Sequence, residues 1–195
     1  MTDNNYSQDP RGALLCLCLA ARAEPDFIMW CSLKDDRQCL TVVYRKALNA
    51  LRSALEGSFS AKGLSSRLED LDEIIDKTYG DETLGAYAAL CALETLREGF
   101  TAFSGQSENS EAAARDLTLS IIRRALGVAG FDERKIAGAL ESESAFCDEI
   151  LNKCAGLTDK GVNSIAIVRQ ALLYALSDAR SALGIENQDP LVKAA

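Results

Sequence analysis

No histidine occurs among the 195 residues of the chain, and this absence excludes more chemistry than any motif present adds. It removes the Ser/His/Asp triad, the Cys/His dyad, the H-E-x-x-H zinc helix and the Glu-x-x-His di-iron bundle. Any reaction here must run on carboxylates, Cys, Lys, Tyr or Arg. Basic charge is also short, with 21 Lys and Arg against 29 Asp and Glu and a net charge of −8. Such a chain repels a polyphosphate surface, so nucleic acid is not an expected partner. Neither G-x-x-x-x-G-K-[ST] nor G-x-G-x-x-G appears, which excludes nucleotide binding through either loop.

Long hydrophobic runs are missing as well. Gly12 to Ala21 is uncharged, but these ten residues cover only about 15 Å as a helix, half a bilayer core. The residues before it carry Asp3 and Asp9 and a single base, Arg11, whereas an export signal needs a cationic start. Leu15 before Cys16 does not suit a lipoprotein site either, and the expected location is the cytoplasm. The seven cysteines, an odd number, include no pair separated by two to four residues, so no metal site is expected from them. Cys16, Cys18, Cys31, Cys39, Cys91, Cys147 and Cys154 mostly sit in apolar periodic runs and read as reduced, buried thiols.

What is present is helical periodicity. Residues 1–9 are polar and expected to fray, residues 10–185 form a single helical domain, and 186–195 are a flexible tail. A first helix starts near Pro10, and Pro25 is expected to break or restart it ahead of the aromatic cluster Phe27, Met29 and Trp30. From Asp36 to Glu56 the residues Leu40, Val43, Tyr44, Ala47, Leu48, Leu51 and Leu55 recur at spacings of three and four. Gly57 to Gly63 reads as a loop, and Ser66 with Glu69 as a capping box opening the next helix. The acids between Glu69 and Glu82 interleave with an apolar stripe, as a solvated face does, and lack the spacing of a calcium loop. Asp81 is positioned to cap a fourth helix running to Phe103, whose start, Leu84 to Leu93, is apolar all round and suits the centre of a bundle. A fifth helix, Glu111 to Val128, is punctuated by Gly130. Asp132 caps a sixth that Gly156 closes, and a seventh runs from Thr158 to a Gly184–Ile185 stop. No strand pattern appears, so the expected fold is all-α, a single-domain helical bundle of about seven helices.

The order of these motifs resembles the YjaG-like family, all-helical bacterial proteins of unknown function. The resemblance lies in the run Leu14 to Leu19, in Pro25, Phe27, Met29, Trp30 and Cys31, in Tyr44-Arg45-Lys46, in Leu68-Glu69 and in Leu84-Gly85-Ala86-Tyr87. It implies the fold and a bacterial cytoplasmic setting, with no assigned activity, catalytic residue or cofactor.

On this reading the chain is a binding or interaction module, with a homodimer through an apolar helix face left open. The alternative is a ligand-binding protein or enzyme with a pocket around Trp30, Tyr44, Arg45 and Tyr87. Glu24, Asp26 and Lys46 belong to the same group, where an Arg fork beside an aromatic ring could hold a carboxylate or phosphate. Cys31, near Lys34 and Arg37, is the best sequence candidate for a nucleophilic thiol. No cofactor is expected.

Overall fold

A computed structural model describes residues 9–33, 35–58, 61–81, 83–106, 109–154 and 164–182. They form α1 (Pro10–Ser32), a short 3-10 turn (Asp35–Arg37), α2 (Gln38–Leu55), α3 (Ala61–Thr78), α4 (Leu84–Phe103), α5 (Ser110–Val128), α6 (Glu133–Lys153) and α7 (Ser164–Ala182). Among the described residues there is no strand, and the fold is an all-α bundle. None of these helices is long and apolar enough to cross a membrane.

The uncharged run from Gly12 to Ala21 explains the arrangement. Every residue in it is buried, so α1 presents apolar surface on all sides and must be surrounded. It packs on α2, α4, α5, α6 and α7. Helix α4, whose first ten residues carry no charge, lies against it, with Leu93 and Leu96 fully buried. Gly99 sets that spacing. A Cβ there would lie 2.9 Å from Cys16 Cβ of α1 and 2.6 Å from Leu51 Cδ2 of α2.

Pro25 does not break the first helix, which runs through it to Ser32. Proline has no N–H for the carbonyl one turn back and normally ends or kinks a helix. Here both flanks are held by burial, with Ala20 and Phe27 fully enclosed. The Tyr44 hydroxyl also donates to the Ala20 carbonyl at 2.7 Å, beside the carbonyl of Ala21 that proline leaves without its usual donor. Tertiary packing outweighs the local preference.

Three further expectations are corrected. Asp9 is not frayed but caps α1, its carboxylate accepting from the Gly12 N–H at 2.8 Å. Ser66 and Glu69 do not open α3, which starts at Ala61, because burial of Leu64 draws the preceding turn into the helix. Thr83, not Asp81, caps α4, its hydroxyl accepting from the Ala86 N–H at 3.2 Å. The Asp132 cap on α6 stands, with Lys135 N–H at 2.9 Å. So does the stop at Gly130, whose φ of +76° lets Phe131 N–H reach back to the Leu126 carbonyl. Residues 1–8, the Gly156 and Gly184–Ile185 stops, the Thr158 start and the 186–195 tail lie outside the described residues.

Candidate functional site

The residues singled out from sequence do not converge on one cavity. Tyr44 is fully enclosed and stacks on Phe27 with ring centroids 4.5 Å apart, and Phe27 in turn meets Trp30 at 5.9 Å. Trp30 and Tyr44 are thus joined through a core residue, with their polar atoms already engaged. Arg45 points outward and pairs with Glu24 at 2.6 Å, and Lys46 is exposed too. Tyr87 lies under the Arg124 guanidinium at 4.9 Å, in a groove of about 390 Å³ that it shares with Tyr79, Asp81 and Glu94 and that Trp30, Tyr44 and Arg45 do not line.

Trp30 has a different role. Its Nε1–H donates to Asp81 at 3.3 Å, Arg37 donates to the same carboxylate oxygen at 2.8 Å, and the guanidinium lies over the indole 4.1 Å from its centroid. The hydroxyl and N–H of Thr83, together with Arg37 and Trp30, hold the Asp81 carboxyl well below the usual carboxylate range. A depressed folded-state pKa adds stability above the ordinary carboxylate range that is lost as pH falls through it toward the depressed value. Asp81→Asn should therefore cost about 1–2 kcal/mol near neutral pH and flatten the acid limb of stability, measured by urea unfolding from pH 7 to pH 3.

Cys31 is poorly placed to act as a nucleophile. Burial pushes the Cys31 thiol up to about 11 despite the opposing Arg37 charge, so the thiolate that sequence proximity to cations suggested is disfavoured. Cys39 is the exposed one, contrary to the expectation of burial, and Cys91 is half-buried. On α3, Lys77 and Arg67 pair with acids of their own helix, and Arg97 of α4 pairs with Asp72 at 2.6 Å. Among the described residues no group of three or more acids and cysteines is placed to hold a metal ion.

A cavity of about 390 Å³ opens instead between α1, α4, α5 and α6. Its origin lies in α5. The buried residues of that helix are Ser110, Ala114 and Thr118, all in its first half, and beyond them Ile121, Ile122, Ala125 and Leu126 are only half-buried. The second half of α5 therefore stands off from the bundle. Facing it are Ala23 on α1 and Ala88 on α4, too small to fill the gap.

The polar end of the cavity is built by Arg22, which follows the buried run of α1. Its guanidinium pairs with Glu143 of α6 and, at 2.7 Å, with Asp178 of α7, and it lies over the Phe146 ring 4.2 Å from the centroid. Glu143 is only 7% exposed. Asp26, one turn after Arg22, lines the solvent-reachable mouth, and partial burial raises its carboxyl against the opposing pull of Arg22. Thr118 is buried in the wall, its hydroxyl against the Cys91 thiol. Beside it Cys91 is pushed up to about 12 by burial, so it lines the cavity as a neutral thiol.

Of the residues grouped from sequence, Asp26 alone lines this cavity. Arg22, Thr118 and Glu143 were not singled out. One signal for Glu143 was present: it sits on the apolar stripe of α6, at i+7 from Ile136 and i−3 and i−4 from Phe146 and Cys147. An acid in a core stripe needs a buried partner.

Bundle and cavity together describe a helical protein with a half-open, mainly apolar space and a charged end. The model of an uncharacterised family, described as a protein of unknown function (DUF416), matches residues 8–186, and the chain belongs to that family. Neither a curated protein nor a solved structure matches the chain.

Proposed function

We propose that the protein binds a small molecule in the cavity behind the second half of α5. The carrying observation is the space itself: about 390 Å³ with half-buried apolar walls and a charged end at Arg22 and Glu143. Pockets for small ligands have this size and this mixture of apolar lining with few polar groups. Among the described residues that line it no nucleophile is paired with a base, and the reading is therefore put as binding. Titration with 4-phenylbutan-1-ol, a neutral probe, should give saturable shifts of the Ile121, Ile122 and Leu126 methyl signals. Ile121→Trp, which fills the space, should abolish the shifts at Ile122 and Leu126. Failure to saturate in the wild-type protein removes the reading.

A second reading, an interaction module that pairs with its own copy, is favoured by α7, where Ile165, Leu173 and Leu176 are exposed on one side. It expects sedimentation velocity to show a concentration-dependent dimer that Leu173→Glu dissociates; a monomer at all concentrations counts against it. We place the protein in the cytoplasm, which suits its seven free cysteines, and with the YjaG-like members of its family, on the run from Pro25 to Cys31.

A further inference from the structure

We propose that the corner between α5 and α6 docks the protein on an anionic lipid surface. The inference is independent of the cavity and starts from where exposed bases gather. Arg123 and Arg124 lie near the end of α5 and Arg134 and Lys135 near the start of α6, and all four are exposed. From Arg123 to Lys135 the sequence holds only two acids, Asp132 and Glu133, in a chain whose net charge is −8. The three arginines make no salt bridge among the described residues, and Lys135 reaches only Asp132, at 3.9 Å. Arg124 shares its groove with Asp81 and Glu94, but Arg37 already pairs with the first and the Tyr79 hydroxyl donates to the second. The molecule thus turns a basic corner outward from an acidic body.

The second observation is apolar. Val128 and Phe131, at the same corner, are 56% and 47% exposed, and a Cβ added at Gly127 or Gly130 would meet no atom within 4 Å. The corner is open, so it suits a surface pressed against it better than a segment held in a groove. Four residues separate Arg124 from Val128 and Phe131 from Lys135, which places each of these bases about 6 Å along its helix from the apolar residue. Apolar residues at a membrane interface sink about 5–10 Å, which leaves such bases level with the headgroups. Lys135 Nζ already lies 5.8 Å from the Phe131 ring centroid, its charge held behind the ring. A partner of charge alone would leave Val128 and Phe131 in water. Lipid takes both.

The test is flotation of the full-length protein with vesicles of equal parts phosphatidylserine and phosphatidylcholine, against phosphatidylcholine alone. A base near an anionic surface raises affinity roughly fivefold, and the two acids offset part of that, so the mixed vesicles should bind about tenfold more strongly. Salt near 1 M should remove most of the difference. Phe131→Ser, and separately Arg123→Gln with Arg134→Gln, should each weaken binding severalfold at unchanged helical circular dichroism, whereas Val42→Ser, which removes an exposed apolar residue of α2, should not. Phe131→Trp should still bind, and its emission should move to the blue on vesicles, because the single native tryptophan, Trp30, is already buried. Equal binding to both vesicles, or binding that neither corner variant weakens, overturns the proposal. Loss in the arginine variant without loss in Phe131→Ser or a blue shift reduces it to adsorption by charge and overturns the insertion. Saturable binding of a polyglutamate peptide without vesicle binding assigns the corner to an acidic protein instead.

Discussion

Arg22→Ala is expected to destabilise the bundle by about 3 kcal/mol, the scale for breaking a buried ion pair from one side. The loss comes less from the attraction given up than from what stays behind. Glu143, 7% exposed, would keep a carboxylate facing Phe146 and Cys147 with no cation to offset its desolvation. The guanidinium also covers the Phe146 ring, so its removal uncovers apolar surface. A double variant, Arg22→Met with Glu143→Met, should recover most of the loss, because hydrophobic residues of similar volume often replace a buried pair at little cost. Urea unfolding at constant m-value measures both. If the double variant is no more stable than Arg22→Ala, the penalty is packing around Phe146 and not the orphaned charge.

The second large effect is expected where α1, α2 and α4 meet. Gly99→Val should cost about 3 kcal/mol, even though glycine is a poor helix former and most replacements at an open helical site would gain up to about 1 kcal/mol. The steric term wins because one neighbour cannot yield. Leu51 Cδ2, 2.6 Å from the new Cβ, is the end of a flexible side chain and can rotate away. Cys16 Cβ, at 2.9 Å, is fixed to the backbone of α1, so helices must separate. A Leu51→Ala background should therefore relieve part of the Gly99→Val cost and never all of it, which a double-mutant cycle reads directly. Full relief would show that the leucine tip alone sets the spacing.

How much of this was legible in the sequence depended on how local the cause was. The stripe through Tyr44, Leu48, Leu51 and Leu55, the cap at Asp132 and the stop at Gly130 are each decided within a turn or two of chain, and each stands. Pro25 was misread because its local rule is opposed by burial on both sides, which arises only once other helices surround α1. Ser66 and Glu69 satisfy the capping pattern equally well, yet the packing of Leu64 carries α3 back beyond them.

The site was harder. Tyr44 and Arg45 are neighbours in sequence, but about 100° of helical rotation sends one into the core and the other into solvent. The cavity depends on the second half of α5 standing off the bundle, and the pattern Leu117, Ile121, Ala125, Val128 looks like any helix packed along its whole length. Only Glu143 announced itself, as a charge in a stripe of apolar residues.

The central position of α1 has a consequence for how the protein is made. It is the first of these helices to be synthesised, and its surface from Leu14 to Ala21 is closed by α4, α5, α6 and α7, which come later in the chain. Ribosomes add about 5–20 residues per second, so this uncharged run waits for seconds before α4, let alone α7, arrives. Its contacts are therefore among the most distant in sequence, which slows folding and leaves a sticky segment exposed in the nascent chain. Capture by a chaperone during synthesis would shield that segment until the later helices can close around it.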